Sequence, residues 1–184
     1  MIDRASLRTD RLLLEPIVPK HAESMWKATE SSLPELRPWL AWAGTASPET
    51  TAAFTEEARQ DWAEGRAYQF AILEGDDVIG ALGLDTPIPG HRIGDLGYWV
   101  RTDRSARGFA TEASQAVLAF GFSTLDLYRI ELRAGVENRA SQRVAERLRF
   151  SREGRLHKGC PGGKHPYDCF LYALLAEDFG PSSE

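Results

Sequence analysis

The fold is decided by residues 94–121, whose sequence is GDLGYWVRTDRSARGFATEASQAVLAFG. In its first part every second side chain is apolar, which is typical of a half-buried strand: Leu96, Tyr98, Val100. In its last part apolar side chains recur every three or four positions, as on one helix face: Phe109, Ala113, Ala116, Val117, Phe120. Residues 103–112 contain no proline, so each backbone N–H there can donate a hydrogen bond. A glycine-bearing turn into a helix N-terminus predicts an anion site, and a plain connection with solvated arginines is the alternative.

This stretch resembles the acetyl-CoA-binding segment of the GNAT superfamily of N-acetyltransferases. The resemblance rests on GYWV at 97–100 and on RGFATEA at 107–113. Further motifs resemble the RimJ/RimL-like branch, which acetylates the N-termini of ribosomal proteins. They occur in family order between residue 9 and about residue 178: TDRL at 9–12, ELRPWL at 35–40, NRAS at 138–141, Phe150, REG at 152–154 and an apolar last strand after Asp168.

The resemblance implies a mixed α/β (α+β) GNAT fold. Its central sheet would have about seven mostly antiparallel strands, splayed at the central strand, and about four helices. Local patterns agree with this, because SPE at 47–49 predicts a helix start and residues 68–84 predict a hairpin. We expect residues 1–184 to form one acetyltransferase domain, ordered over about 7–178, with 179–184 as a tail. Arg149 stands where the family usually has glycine, so a left-handed φ is predicted there.

By the same resemblance, the central strand would pair with the pantetheine arm of acetyl-CoA, the co-substrate. The N–H groups from about Arg104 to Ala110 would hold its pyrophosphate. The predicted cofactor-binding residues are Trp99, Val100, Arg101, Arg104, Ser105, Ala106, Arg107, Gly108, Phe109, Ala110, Thr111, Asn138 and Ser141. Ser105 replaces the usual Gln or Arg, and Ala106 stands where a glycine is common, but neither change removes a backbone donor.

Two residues of the NRAS motif have a structural and a functional interpretation. Asn138 is either a helix N-cap or a partner of the pantetheine through its amide. Ser141 is either a first-turn serine or, as the resemblance implies, a donor beside the CoA sulfur that protonates the leaving thiolate.

The general base is left open by the sequence. The family's glutamate after the REG motif falls near Cys160, which is not a carboxylate. Asp95 is our predicted base, with a solvated strand residue as its alternative. Glu112 is a second candidate, although an acidic residue also favours a helix N-terminus for purely structural reasons.

The acceptor is predicted to be a primary amine, most readily the α-amine of a protein or peptide N-terminus. Deprotonating an α-amine at pH 7 costs roughly 1 kcal/mol, against roughly 4.6 kcal/mol for a lysine, so a site without a strong base favours the α-amine. The resemblance places Trp39, Trp42 and Tyr98 near the acceptor, and core packing is the alternative for the two tryptophans. The rival functions are acetylation of a small molecule, such as an antibiotic or aminoacyl compound, and a non-catalytic acyl-CoA-binding module.

Composition limits the partners. The net charge of −5 argues against nucleic acid as the main partner. No apolar run approaches 18 residues and the N-terminus lacks a signal-peptide core, so we expect a cytoplasmic protein without a membrane partner. The resemblance favours a homodimer. His157, Cys160, His165 and Cys169 resemble a zinc cluster, but their spacing matches no strong pattern, and we expect no metal.

Overall fold

The computed structural model describes residues 4–86, 88 and 90–180, and within them one sheet of eight strands. The strands are β1 (Leu7–Arg8), β2 (Leu13–Pro16), β3 (Ala67–Glu74), β4 (Asp77–Asp85), β5 (Ile93–Val100), β6 (Arg129–Gly135), β7 (Ser151–Cys160) and β8 (Tyr167–Leu175). Their order across the sheet is β1-β2-β3-β4-β5-β6-β8-β7. Every neighbouring pair is antiparallel except β5 and β6, which are parallel.

Five α-helices accompany the sheet. They are α1 (Ala22–Glu30), α2 (Leu33–Leu36), α3 (Pro48–Glu64), α4 (Phe109–Ser123) and α5 (Arg139–Arg147). The predicted start of α3 is confirmed, because the Ser47 hydroxyl accepts the Thr50 N–H at 3.2 Å and caps the helix. The predicted mixed sheet is confirmed as well. The strand and helix beyond the expected numbers, β1 and α2, are two and four residues long, which is too short for a periodic pattern.

The sheet has a hydrophobic core on each face. Successive residues of a strand point to opposite faces, so Leu82 and Leu84 of β4 join one core while Ala81 joins the other. The larger core is closed by α4 and α5, and the smaller one by α1 and α3. The helices α4 and α5 therefore rest on buried side chains and place their N-termini at the central strands.

The sheet opens between its two parallel strands. The pairing of β5 with β6 is limited to Ile93 with Arg129, Gly94 with Ile130 and Asp95 with Glu131. Beyond that point β5 stays paired with β4, and β6 with β8. The backbone groups of residues 96–100 that point away from β4 consequently have no strand partner in the described part of the chain. The predicted splay is confirmed.

The C-terminal end of the described chain is packed rather than loose. Phe179, which we had placed in the tail, contacts Phe122 with 5.0 Å between ring centroids. Residues 181–184 of the predicted tail lie outside the described residues. The expectation of one domain over 1–184 stays a prediction.

Replacing Arg149 with glycine is expected to raise the free energy of unfolding by a few tenths to about 1 kcal/mol. The predicted left-handed conformation is confirmed, since the φ of Arg149 is +62° and the Phe150 N–H reaches back to the Ala145 carbonyl at 3.0 Å. A side chain in this region costs roughly 1 kcal/mol, which glycine avoids, less the larger entropy of glycine in the unfolded chain. Chemical denaturation of both proteins measures the difference.

Arg143→Gly is the matched control, because the same change is made at an exposed position in the middle of α5. There glycine is expected to lower stability by about 1 kcal/mol. A loss of stability in Arg149→Gly of similar size would show that the arginine side chain itself stabilises the turn.

Candidate active site

The loop between β5 and α4 leaves a row of backbone donors unused. The N–H groups of Arg104 and Ser105 donate to the carbonyls of Arg101 and Thr102, inside a 3₁₀ turn. The N–H groups of residues 106–111 donate to no protein atom among the residues that the structure describes. Of the predicted cradle at 104–110, the N–H groups of residues 106–110 are therefore free in the described chain, and that of Thr111 is free beyond it.

The backbone conformation of this loop suits an anion. Ala106 and Gly108 are both left-handed, with φ of +60° and +84°, and Gly108 is the N-cap of α4. Left-handed residues within a turn group successive N–H dipoles into an anion-binding concavity, and the helix N-terminus adds its positive end. Ala106 takes a conformation that favours glycine, which gives a physical reason why a glycine is common at this position.

Ion pairs tie the loop to the β3–β4 hairpin. Arg101 pairs with Asp77 at 2.8 Å and with Asp103 at 2.6 Å, and Arg104 pairs with Glu74 at 2.8 Å. The side chains of these two arginines, which were predicted to bind the cofactor, therefore form ion pairs within the protein. Arg107 is exposed and makes no ion pair within the described ranges.

Glu112 on the first turn of α4 is held by the turn between β1 and β2. One carboxylate oxygen accepts the Thr9 hydroxyl at 2.6 Å and the Arg11 N–H at 3.0 Å, and the other accepts Arg11 Nε at 2.7 Å. Burial raises the pKa of Glu112, but the hydrogen bonds from Thr9 and Arg11 outweigh it and keep that pKa below its usual value. Both oxygens are in use, as expected of a carboxylate that stabilises a helix start.

Across the opening of the sheet, Tyr98 meets the start of α5. Its hydroxyl lies 2.8 Å from the Ser141 hydroxyl. Burial raises the pKa of Tyr98 to about 12, although the hydrogen bond with Ser141 acts the other way. The phenol is therefore protonated at neutral pH and able to donate. Asn138 is the N-cap of α5, because its Oδ1 accepts the Ser141 N–H at 3.1 Å. Its amide nitrogen has no partner among the described residues, so both sequence interpretations of Asn138 remain compatible.

A cavity of about 370 Å³ lies on the other face of the same strand. Its apolar and aromatic lining is Met25, Leu40, Trp42, Ala46, Phe54, Ala81, Leu82, Tyr98 and Trp99. The remaining lining residues are Thr29, Thr45, Thr50, Thr51, Gln69, Asp85 and Gly97. Trp42 is 43% exposed and lies 6.0 Å from Trp99, so the two rings form part of the wall.

Trp39, which we predicted to bind the acceptor, lies away from this lining. Its ring packs edge-on against Tyr167 at 5.7 Å, and the Tyr167 hydroxyl donates to the Trp39 carbonyl at 2.9 Å. Trp39 thus holds the segment before α3 against the β7–β8 hairpin. Tyr98 is among the residues that line the cavity, but its side chain packs against the larger core and its hydroxyl pairs with Ser141.

The carboxylate at the cavity is Asp85 rather than the predicted Asp95. Both oxygens of Asp95 accept Arg133 Nη1 at 2.7 Å, and Asp95 does not line the cavity. Asp85 stands opposite it on β4 and accepts Gln69 Nε2 at 2.7 Å. Asp85 is exposed to solvent at the cavity. The protein around it and the charge of Asp95 nevertheless raise its pKa, against the lowering effect of the Gln69 hydrogen bond. Asp85 was not among the residues predicted from the sequence.

The cysteines form a buried pair at the β7–β8 hairpin. Burial and the hydrogen bond with Cys160 raise the pKa of the Cys169 thiol to about 12, so it stays protonated. His157 lies 3.2 Å from Asp168 at the surface. No group of three or more His, Cys, Asp or Glu side chains within the described ranges could hold a metal ion. Nor is any helix in those ranges long and apolar enough to cross a membrane.

Sequence comparison places this architecture among known enzymes. Residues 11–151 match the acetyltransferase (GNAT) domain. The N-acetyltransferase YoaA of Bacillus subtilis, itself uncharacterized, is 28% identical over 171 residues, covering 92% of this chain and 96% of that protein. The ribosomal-protein-serine acetyltransferase of Escherichia coli is 29% identical over 92 residues, about half of each chain.

Solved structures agree with the fold. RimJ of Mycobacterium smegmatis, in complex with a CoA-disulfide, is 25% identical with a TM-score of 0.86, covering 97% of this chain and 89% of that one. RimL, a ribosomal L7/L12 alpha-N-protein acetyltransferase in complex with coenzyme A, is 20% identical with a TM-score of 0.88, covering 95% and 99%. The chain shares the fold of these proteins and matches the acetyltransferase domain over most of its length, and it therefore belongs to the GNAT family of N-acetyltransferases.

Proposed function

We propose that this enzyme transfers an acetyl group from acetyl-CoA to the α-amine of a peptide or protein N-terminus. The observation that carries the proposal is the arrangement of three features around one strand, β5. The loop that follows β5 has the unused backbone donors, Ser141 lies beside Tyr98 of the strand, and the cavity lies on the strand's other face. The names of RimL and of the Escherichia coli relative, which act on ribosomal proteins, support a protein acceptor.

Acetyl-CoA suits the donors that this chain leaves free. The N–H groups of residues 106–111 would hold the pyrophosphate, since they are unpaired and lie at a helix N-terminus. The unpaired edge of β5 would bond the pantetheine arm, and the Asn138 amide nitrogen would reach the same arm. The thioester supplies an activated acyl group, so the protein needs no covalent nucleophile of its own.

The protein's contribution to transfer would be positioning and electrostatics. The amine would approach from the cavity and attack the thioester carbonyl directly in a ternary complex, where holding both reactants in place lowers the barrier. Backbone N–H groups of β5 would stabilise the developing oxyanion. The amine would attack in its neutral form, after losing one proton to water. As the C–S bond breaks, the Ser141 hydroxyl would give its proton to the departing thiolate and regain one, through water, from the nitrogen that has formed the C–N bond. Tyr98 would keep the serine hydroxyl in position through the 2.8 Å hydrogen bond.

The rate of CoA release with a panel of amines tests this proposal. We expect unblocked peptides to be acetylated faster than the same peptides carrying an N-terminal block and a free lysine, with mass spectrometry locating the acetyl group on the α-amine. Faster reaction of aminoglycosides or aminoacyl compounds would make the protein a small-molecule acetyltransferase. Binding of acetyl-CoA without transfer to any amine would make it an acyl-CoA-binding module.

A further inference from the structure

We infer that Asp85 is the group that recognises the positively charged amine, and that the cavity excludes free amino acids in favour of amines without a neighbouring carboxylate. The inference rests on the proposed function and deepens it by naming the residue that selects the acceptor. It is carried by the charges of the cavity lining and by the hydrogen bonds of Asp85.

The lining has a single charged side chain. Asp85 is the only carboxylate in it, and no lysine, arginine or histidine of the described residues belongs to it. The nearby cation Arg133 forms an ion pair with Asp95, to which it donates hydrogen bonds at 2.7 Å. A cavity with one negative charge and no positive charge attracts an ammonium group and repels a carboxylate.

The side chain of Gln69 orients the carboxylate of Asp85. Gln69 donates to its Oδ1 at 2.7 Å, and Gln69 can lie there because Gly83 has no side chain: a Cβ on Gly83 would come within 2.2 Å of Gln69 Oε1. The second oxygen of Asp85 has no hydrogen-bond partner in the described part of the chain. That oxygen can accept an ammonium hydrogen without breaking a contact.

The aromatic wall favours the same ligand. Trp42 and Trp99 lie 6.0 Å apart at the cavity, and the face of an indole ring attracts a cation. A free amino acid would bring its carboxylate within two bonds of the amine, close to Asp85 and with no lining cation to pair with. In a peptide the same carbon carries an amide, which is neutral.

The test compares alanine amide with free alanine, two acceptors that carry the same side chain. We expect the wild-type kcat/KM to be at least about tenfold higher for the amide. Asp85→Asn, which keeps the size and the hydrogen bond from Gln69, is expected to lower kcat/KM for the amide about tenfold or more, chiefly through KM, and to leave alanine unchanged or improved. Asp85→Glu should restore part of the preference.

Asp126→Asn is the matched control, because it removes the same charge from an exposed turn where Asp126 pairs with Arg92. It should leave the preference for the amide unchanged. An equal loss for amide and free acid in Asp85→Asn, or an unchanged preference, would overturn the inference.

Binding without turnover separates this inference from the proposed function. An NMR titration of the CoA-saturated protein with alanine amide and with alanine reports affinity even where no transfer occurs. Selective binding of the amide that is lost in Asp85→Asn, together with no acetylation of any peptide, would overturn the proposed function and support the assignment of Asp85. Equal binding of the two acceptors would overturn the assignment whatever the activity.

Discussion

Gly108→Val is expected to weaken CoA binding roughly five- to thirtyfold. Gly108 has a φ of +84° at the start of α4, and the added Cβ would meet nothing nearer than the Arg11 guanidinium at 3.6 Å. The effect is therefore one of conformation rather than collision. Holding a residue with a Cβ at a left-handed φ costs about 1–2 kcal/mol. In the free protein, a valine at position 108 can relax to another φ and avoid this strain. Binding of the phosphates requires the left-handed φ again, so the same free energy is lost from the affinity for CoA. Isothermal titration calorimetry with CoA measures it.

Two further glycine variants make this result specific. Gly90→Val places valine at a φ of +80° with no atom within 4 Å of the new Cβ, in the loop at the opposite end of β5. It should leave CoA affinity unchanged. Ala106→Gly removes the strain already present in the loop, where φ is +60°, and should not weaken binding. Wild-type affinity in Gly108→Val would mean that the pyrophosphate binds elsewhere.

Much of the fold follows from local signals in the sequence. The cap at Ser47 and the hairpin after β3 depend on a few neighbouring residues, so they could be predicted without knowing the rest of the chain. The left-handed φ of Arg149 was predicted from the glycine that the family usually has there. The splay of β5 from β6 was predicted only through the family resemblance. No pattern within residues 93–100 shows where pairing with β6 stops.

The candidate site was harder to predict, because its contacts join residues far apart in sequence. Tyr98 and Ser141 are 43 positions apart and meet only because α5 returns to the opening of the sheet. Asp95 and Asp85 have the same side chain on neighbouring strands, and the difference is made by Arg133, which neutralises one of them. One signal for Asp85 was present: strand alternation places it on the same face as Gly97 and Trp99.

Ser141→Ala is expected to lower kcat by roughly ten- to a thousandfold, with a smaller change in the KM for acetyl-CoA. The reason is the loss of the proton that the hydroxyl would give to the thiolate. The structure adds a second consequence: the part-buried Tyr98 hydroxyl loses its 2.8 Å partner and keeps only the Ser141 carbonyl at 3.4 Å. The lost hydrogen bond should lower stability by about 1 kcal/mol. Steady-state kinetics with a verified acceptor and chemical denaturation measure the two effects separately.

Tyr98→Phe separates the positioning of the Ser141 hydroxyl by Tyr98 from proton transfer by Ser141 itself. It leaves the serine hydroxyl in place but removes the group that orients it, so kcat should fall by less than in Ser141→Ala. The double variant, Tyr98→Phe with Ser141→Ala, lacks both hydroxyls and so leaves neither one without its partner. We expect the double variant to be more stable than Ser141→Ala and to have the same kcat as Ser141→Ala. The effects of the two substitutions would then be non-additive in both stability and kcat. An unchanged kcat in Ser141→Ala would reduce Ser141 to a helix-start residue. Additive losses of kcat in the double variant would instead mean that the Tyr98 and Ser141 hydroxyls act independently of each other.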